Sequence, residues 1–77
     1  MNLYVLARNY EDARRYAYSK GYHYSKMVNV DRIDKLMGIR KVTLHVLPGA
    51  SDRKNYQELL NIAAERQMII ENTVGAK

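Results

Sequence analysis

Two short apolar runs, LYVLA at 3–7 and KVTLHVL at 41–47, each end in a polar turn and lead on to an amphipathic helix pattern. That repeated hand-over from strand to helix constrains the fold more than any other feature. The runs are rich in strand formers, too short for helices, and read as buried strands. After the first, Asn9 is a good helix N-cap, and Glu11 and Asp12 occupy the first turn, where the helix dipole favours negative charge. The helix is expected to reach about Lys20 and to stop at Gly21. Tyr10, Ala13, Tyr16 and Ala17 share one stripe, and the alanines allow close approach to a sheet.

Between the two runs, YHYSKMVNV reads as a second strand centred on residues 26–30, with Tyr22 and Tyr24 on the same face as Val28 and Val30. Asp31 is positioned to cap a short helix from Arg32 to Met37 that ends at Gly38. Beyond the third strand, Pro48-Gly49 makes a turn, and Ser51 or Asp52 is placed to cap a last helix. Its core face is Tyr56, Leu59, Leu60 and Ala63, with Gln67 closing it. Residues 68–72 read as a final strand, and Gly75-Ala76-Lys77 as a fraying end.

The order β-α-β-(α)-β-α-β predicts a single α/β domain over residues 1–77. Right-handed crossovers then give a small, mostly parallel four-stranded sheet of order 2-1-3-4, a Rossmann-like miniature with helices on its faces.

Several chemistries are excluded on residues. The chain has no cysteine, hence no disulfide, thiolate nucleophile or cysteine metal site. The turn after the first strand is ARNYED, which is neither a P-loop nor a dinucleotide fingerprint. The third strand ends Leu47-Pro48, where a phospho-acceptor domain needs an aspartate, and a toprim-type acidic pair is reduced to Asp52. His23 and His45 have no serine or carboxylate at relay spacing and no visible metal partners, so His45 reads as a hydrogen-bonded structural histidine. The expectation is a non-enzymatic protein with no catalytic residue, no metal and no cofactor. The apolar start is too short for a signal peptide or a membrane span, which points to a soluble, cytoplasmic protein without a membrane partner.

Positive charge is concentrated early. Residues 1–45 hold nine Lys/Arg against four Asp/Glu, while residues 46–77 hold four of each, so the first half carries the whole net charge of +5. It also carries six of the seven tyrosines. In an open parallel sheet the ligand site lies beyond the carboxyl ends of the strands, where strand order reverses. Arg8, Asn9, Arg32, Ser51 and Arg53 fall at that rim and form a candidate phosphate-binding set, or else cap helices and stay solvated. A second candidate surface, for nucleic acid, comprises Arg14, Arg15, Tyr18, Lys20, Tyr22 and Lys26. Arg14 precedes Tyr18 by one helical turn, so its guanidinium meets an outward tyrosine ring. With no Phe or Trp in the chain, most tyrosines must instead serve the core margin.

The run YVLARNYEDARRYA resembles the start of small phage-encoded α/β proteins of uncharacterised function: a strand, an Ala-Arg-Asn turn, and a helix with Ala-x-x-Tyr-Ala. DRIDKLMGIRKVTLHVLPGASDR is similar to their Leu-x-Gly before a strand that ends in a glycine turn. The resemblance covers about two-thirds of the chain and implies a phage-type accessory role in the cytoplasm. Together these readings predict an accessory protein that binds nucleic acid or a phosphate-bearing ligand through a basic surface. The alternative is a protein-interaction module that modulates an acidic host protein. Its partners are then nucleic acid or a host or phage protein, and the chain is a monomer or weak homodimer.

Overall fold

The computed structural model describes residues 2–73. Strand β1 (Leu3–Leu6) leads through α1 (Tyr10–Ser19) to β2 (Met27–Asn29). Strand β3 (Thr43–Val46) leads through α2 (Tyr56–Glu65) to β4 (Ile69–Asn72). Three 3₁₀ turns, Tyr24–Lys26, Ile33–Leu36 and Ala50–Asp52, fill the connections. The sheet order is β2-β1-β3-β4 and every pairing is parallel, as the alternation predicts. Leu3 faces Met27, Val5 faces His45, and His45 faces Glu71, so β1 and β3 are the two central strands.

Strand pleating divides the core. Leu3 and Val5 pack with Ala13 and Ala17 of α1 and with Met27 and Leu47. Leu6, Leu44 and Val46 project to the other face, against Leu59 and Ala63 of α2 and Leu36 of the 3₁₀ turn. A right-handed crossover changes face when the chain reverses its direction across the sheet. Only β1-to-β2 runs in one direction, so α1 stands alone on its face. The β2-to-β3 and β3-to-β4 connections share the opposite face. Over β4 the α1 side is therefore left open, and there Ile69 is 61% exposed.

The ends of both helices explain where sequence expectation and structure part. In α1 the Tyr22 N–H donates to the Ala17 carbonyl (2.9 Å) and the Gly21 N–H to Tyr18 (3.0 Å), with Gly21 at φ +85°. This Schellman arrangement folds Tyr22 back onto the α1 core, and it joins no strand. Residues 24–26 then form a 3₁₀ turn, so β2 is three residues long and the expected Tyr22/Tyr24 strand face does not exist. In α2 the same pair of bonds recurs, Met68 to Ala63 and Gln67 to Ala64, each 3.0 Å. Gln67 takes the glycine position at φ +60° and is exposed, so it does not close the apolar face.

Other boundaries also shift. Arg32, not Asp31, occupies the cap position of the Ile33–Leu36 turn, and Asp31 lies instead 3.4 Å from Lys35 Nζ. Pro48-Gly49 runs straight into the Ala50–Asp52 turn, which buries Ala50, so neither Ser51 nor Asp52 caps α2. Asn55 stands at that cap, and its Nδ2 donates to the Asp31 carbonyl at 3.0 Å. Lys41 has φ +59°, which delays the start of β3 to Thr43. The expected fraying of 75–77 lies outside the described residues.

Candidate functional site

Three of the predicted rim residues gather at the end of β1. Asn9 Oδ1 accepts the Asp12 N–H (2.8 Å) and is the cap of α1. Arg8 Nη2 lies 3.0 Å from Asp12 Oδ2, and the Arg8 side chain passes over Gly49, where an added Cβ would sit 3.6 Å from Arg8 Cδ. Arg53 Nε donates to the Ala7 carbonyl, tying the loop after β3 to the end of β1. These side chains satisfy protein groups at the switch point. Ser51 and Arg32 share no hydrogen bond or ion pair with them among the described residues. Ser51 lines a shallow groove of about 440 Å³ with Pro48, Tyr56 and Thr73, beyond β3 and β4. Arg32 lies 3.5 Å from Asp34 and 4.0 Å from Asp31.

The second predicted set divides in two. Arg14 stands 5.9 Å from the centroid of the Tyr18 ring, the stacked arrangement the spacing predicts. Arg14 also lies 3.3 Å from Glu11, while Arg15 lies 4.0 Å from Glu11 and 3.6 Å from Asp12. Glu11 and Asp12 therefore balance Arg8, Arg14 and Arg15 together. Such exposed pairs add little stability, about 0–1 kcal/mol each, but they weaken the field that a polyanion would meet.

Lys20, Tyr22 and Lys26 lie at the opposite end of the sheet. Because α1 runs antiparallel to the strands, its last turn and the segment before β2 sit at the amino end. Arg40 and Lys41, just before β3, and Arg66, at the end of α2, belong to that end too. Among the described residues, no ion pair within 4.0 Å involves Lys20, Lys26, Arg40, Lys41 or Arg66. Lys20 Nζ is 5.6 Å from the Tyr16 ring centroid. His23 and Tyr24 stack with centroids 4.3 Å apart, and Tyr24 is 50% exposed. The His23 ring is held by Ser25, whose N–H donates to Nδ1 and whose Oγ is 2.9 Å away.

His45 lies on β3, on the face of the sheet that α1 covers. Its Nδ1 is 2.9 Å from the Tyr16 hydroxyl and 3.9 Å from Glu71 Oε1, so it is the hydrogen-bonded histidine expected from sequence. Burial raises the Tyr16 pKa above its ordinary 10.0, and the Glu71 charge adds to the effect. Beside His45, a cavity of about 320 Å³ is lined by Asn2, Leu3, Tyr22, Lys41 and Thr43.

Sequence reasoning placed Lys20, Tyr22 and Lys26 in one surface with Arg14, Arg15 and Tyr18, and left His23, Tyr24, Lys41 and His45 out of both candidate binding sets. The signal available was local: acids stand within one helical turn of Arg8, Arg14, Arg15 and Arg32, and none stands so near Lys20 or Lys26. No helix among the described residues is long and apolar enough to cross a membrane. Compared with known proteins, the chain matches no family model, no curated protein and no solved structure.

Proposed function

We propose that this chain is a binding protein that holds single-stranded nucleic acid at the amino end of its sheet. One observation carries the reading: of the seven Lys/Arg without an acidic partner among the described residues, five (Lys20, Lys26, Arg40, Lys41 and Arg66) lie there, beside the exposed His23–Tyr24 stack, and only Arg53 and Lys54 lie at the other end. A single strand offers what such a surface uses, phosphates for Lys20, Lys26 and Arg40 and unpaired base faces for aromatic rings. A duplex offers phosphates but keeps its base faces stacked away from aromatic rings. Such a role suits the accessory protein that the sequence resemblance implies.

The test is a titration of ¹⁵N-labelled protein with a short DNA strand, an RNA strand and a duplex at about 50 and about 200 mM salt. The expected result is saturable shifts over residues 20–26 and 40–41, larger for single strands and weakened by salt. Shifts centred on Arg8 and Arg53 would move the site to the carboxyl rim. No shift with any probe at the lower salt would end the reading.

The β4 edge favours a second reading, pairing with another copy of the chain. Native sheet edges are guarded by short strands and lysines. The β2 edge is guarded in this way, being three residues long with Lys35 Nζ 3.4 Å from the Asn29 carbonyl. β4 has neither lysine nor proline, and both Ile69 and Ile70 are exposed. Sedimentation equilibrium decides it: a dimer that Ile69→Lys dissociates supports pairing, and a monomer at every concentration removes it.

A further inference from the structure

We infer that the cavity bounded by Asn2, Tyr22, Lys41, Thr43 and His45 is a subsite for a phosphomonoester, either the terminal phosphate of a strand or that of a free mononucleotide. The strand form rests on the nucleic-acid reading above, while the mononucleotide form does not. The cavity lies at the amino ends of β1 and β3, beside the α1 core residues Leu3 and Tyr22. Lys41 is the one charged side chain that lines it among the described residues, and no carboxylate does. The groove at the other end of the sheet, lined by Ser51 and Thr73, has no charged lining residue at all.

The polar lining is rich in donors: the Lys41 ammonium, the Asn2 amide, and the Thr43 and Tyr22 hydroxyls. His45 adds an imidazole whose orientation is fixed from behind. Tyr16 and Glu71 both approach its Nδ1, at 2.9 and 3.9 Å, and Nε2 has no hydrogen-bond partner among the described residues. When the Tyr16 hydroxyl donates to Nδ1, the ring proton sits on Nε2 and becomes one more donor. A monoester dianion presents three oxygens to such a ring of donors, and an internal phosphodiester only two.

The backbone of Lys41 supplies an independent argument. A lysine at φ +59° occupies the region that glycine takes without strain. The conformation is held from α2, because the Lys41 N–H donates to the Arg66 carbonyl at 3.3 Å. Strain held in place by its surroundings is a mark of functional positions. Tyr22 joins the cavity to the aromatic surface, since it walls the cavity and immediately precedes the stacked His23–Tyr24 pair. A strand with its terminal phosphate in the cavity would therefore begin beside that stack.

The experiment compares four probes by chemical-shift titration: inorganic phosphate, a nucleoside monophosphate, and one short DNA strand with and without a terminal phosphate. Phosphate and mononucleotide should shift the Lys41, Thr43 and His45 amides. The phosphorylated strand should bind about tenfold more tightly than its hydroxyl-ended twin, the worth of one charge-assisted hydrogen bond. Lys41→Gly should remove that preference while the melting temperature holds or rises, because glycine relieves the backbone. Equal affinity for the two strands, with no response of Thr43 or His45 to inorganic phosphate, overturns the inference and leaves the strand-binding surface standing. Conversely, phosphate and mononucleotide filling the cavity while neither strand binds supports the subsite and defeats the nucleic-acid reading.

Discussion

The Tyr16 hydroxyl lies 2.9 Å from Nδ1 of His45 and so ties α1 to the central strand β3. Neutral tyrosine makes this bond at a half-buried site, and burial followed by the Glu71 charge raises its pKa above 10.0. The folded protein therefore holds the Tyr16 proton more tightly than the unfolded chain does. Its contribution is fully present below the ordinary tyrosine pKa and is lost as pH rises through the raised value. Tyr16→Phe should cost about 1 kcal/mol near neutrality through the missing bond. Above about pH 10 the wild type should lose stability relative to this variant, and the gap between them should close. Urea unfolding of both proteins across that range checks the sign, and a gap that widens with pH contradicts it.

Gly21 and Gln67 occupy equivalent positions in the two Schellman motifs, at φ +85° and +60°. An added Cβ at Gly21 meets nothing within 4 Å, so only the backbone conformation opposes a side chain there. Gly21→Ala should destabilise by about 1 kcal/mol. Gln67→Gly should move the other way, by up to about 1 kcal/mol, reduced by the greater freedom of glycine in the unfolded chain. Opposite shifts of the denaturation midpoint are the expected outcome; shifts of the same sign would remove the equivalence.

Short apolar runs alternating with helix patterns made the sheet legible. β1 and β3 are apolar enough to be central, and the chain order then admits few right-handed arrangements, among them the one observed. The turns were less legible because their conformations are decided by bonds between neighbours. Nothing in YHYSK excludes a strand until the Schellman bonds turn Tyr22 onto α1. Gln67 hides the end of α2 for a related reason: the residue at a left-handed position is usually glycine, and here it is not. The candidate site was displaced for an electrostatic reason. The rule for open parallel sheets points to the carboxyl rim, but Asp12, Asp34 and the Ala7 carbonyl already engage Arg8, Arg32 and Arg53 there.

Leu44 is fully buried on β3 in the core cluster that holds Leu6 and Leu59, whereas Ile69, on the neighbouring strand, is 61% exposed. Leu44→Ala should cost about 2–5 kcal/mol, because the packed core collapses only partly around the lost methyl groups. For a domain of this size that is a large fraction of the total stability. Ile69→Thr removes little buried surface and should stay within about 0.5 kcal/mol. Thermal unfolding of the two variants gives the comparison; similar losses would mean that the open side of β4 is covered in solution.

Charge placement yields the most discriminating comparison for binding. Lys20→Gln with Lys26→Gln and Arg14→Gln with Arg15→Gln each remove two positive charges, yet the structural contexts differ. Arg14 and Arg15 lie within 3.3–4.0 Å of Glu11 and Asp12, and a phosphate must compete with those carboxylates. Lys20 and Lys26 have no such competitor among the described residues. The lysine pair should therefore weaken strand binding far more, and it should flatten the salt dependence by about 1.4 in log–log slope if both reach phosphates. Removing the arginines frees Glu11, while Asp12 keeps Arg8 at 3.0 Å, and should lower affinity only through longer-range repulsion, with the slope almost unchanged. Equal losses from the two double variants would mean that the strand responds to net charge alone, and the amino-end site would fall.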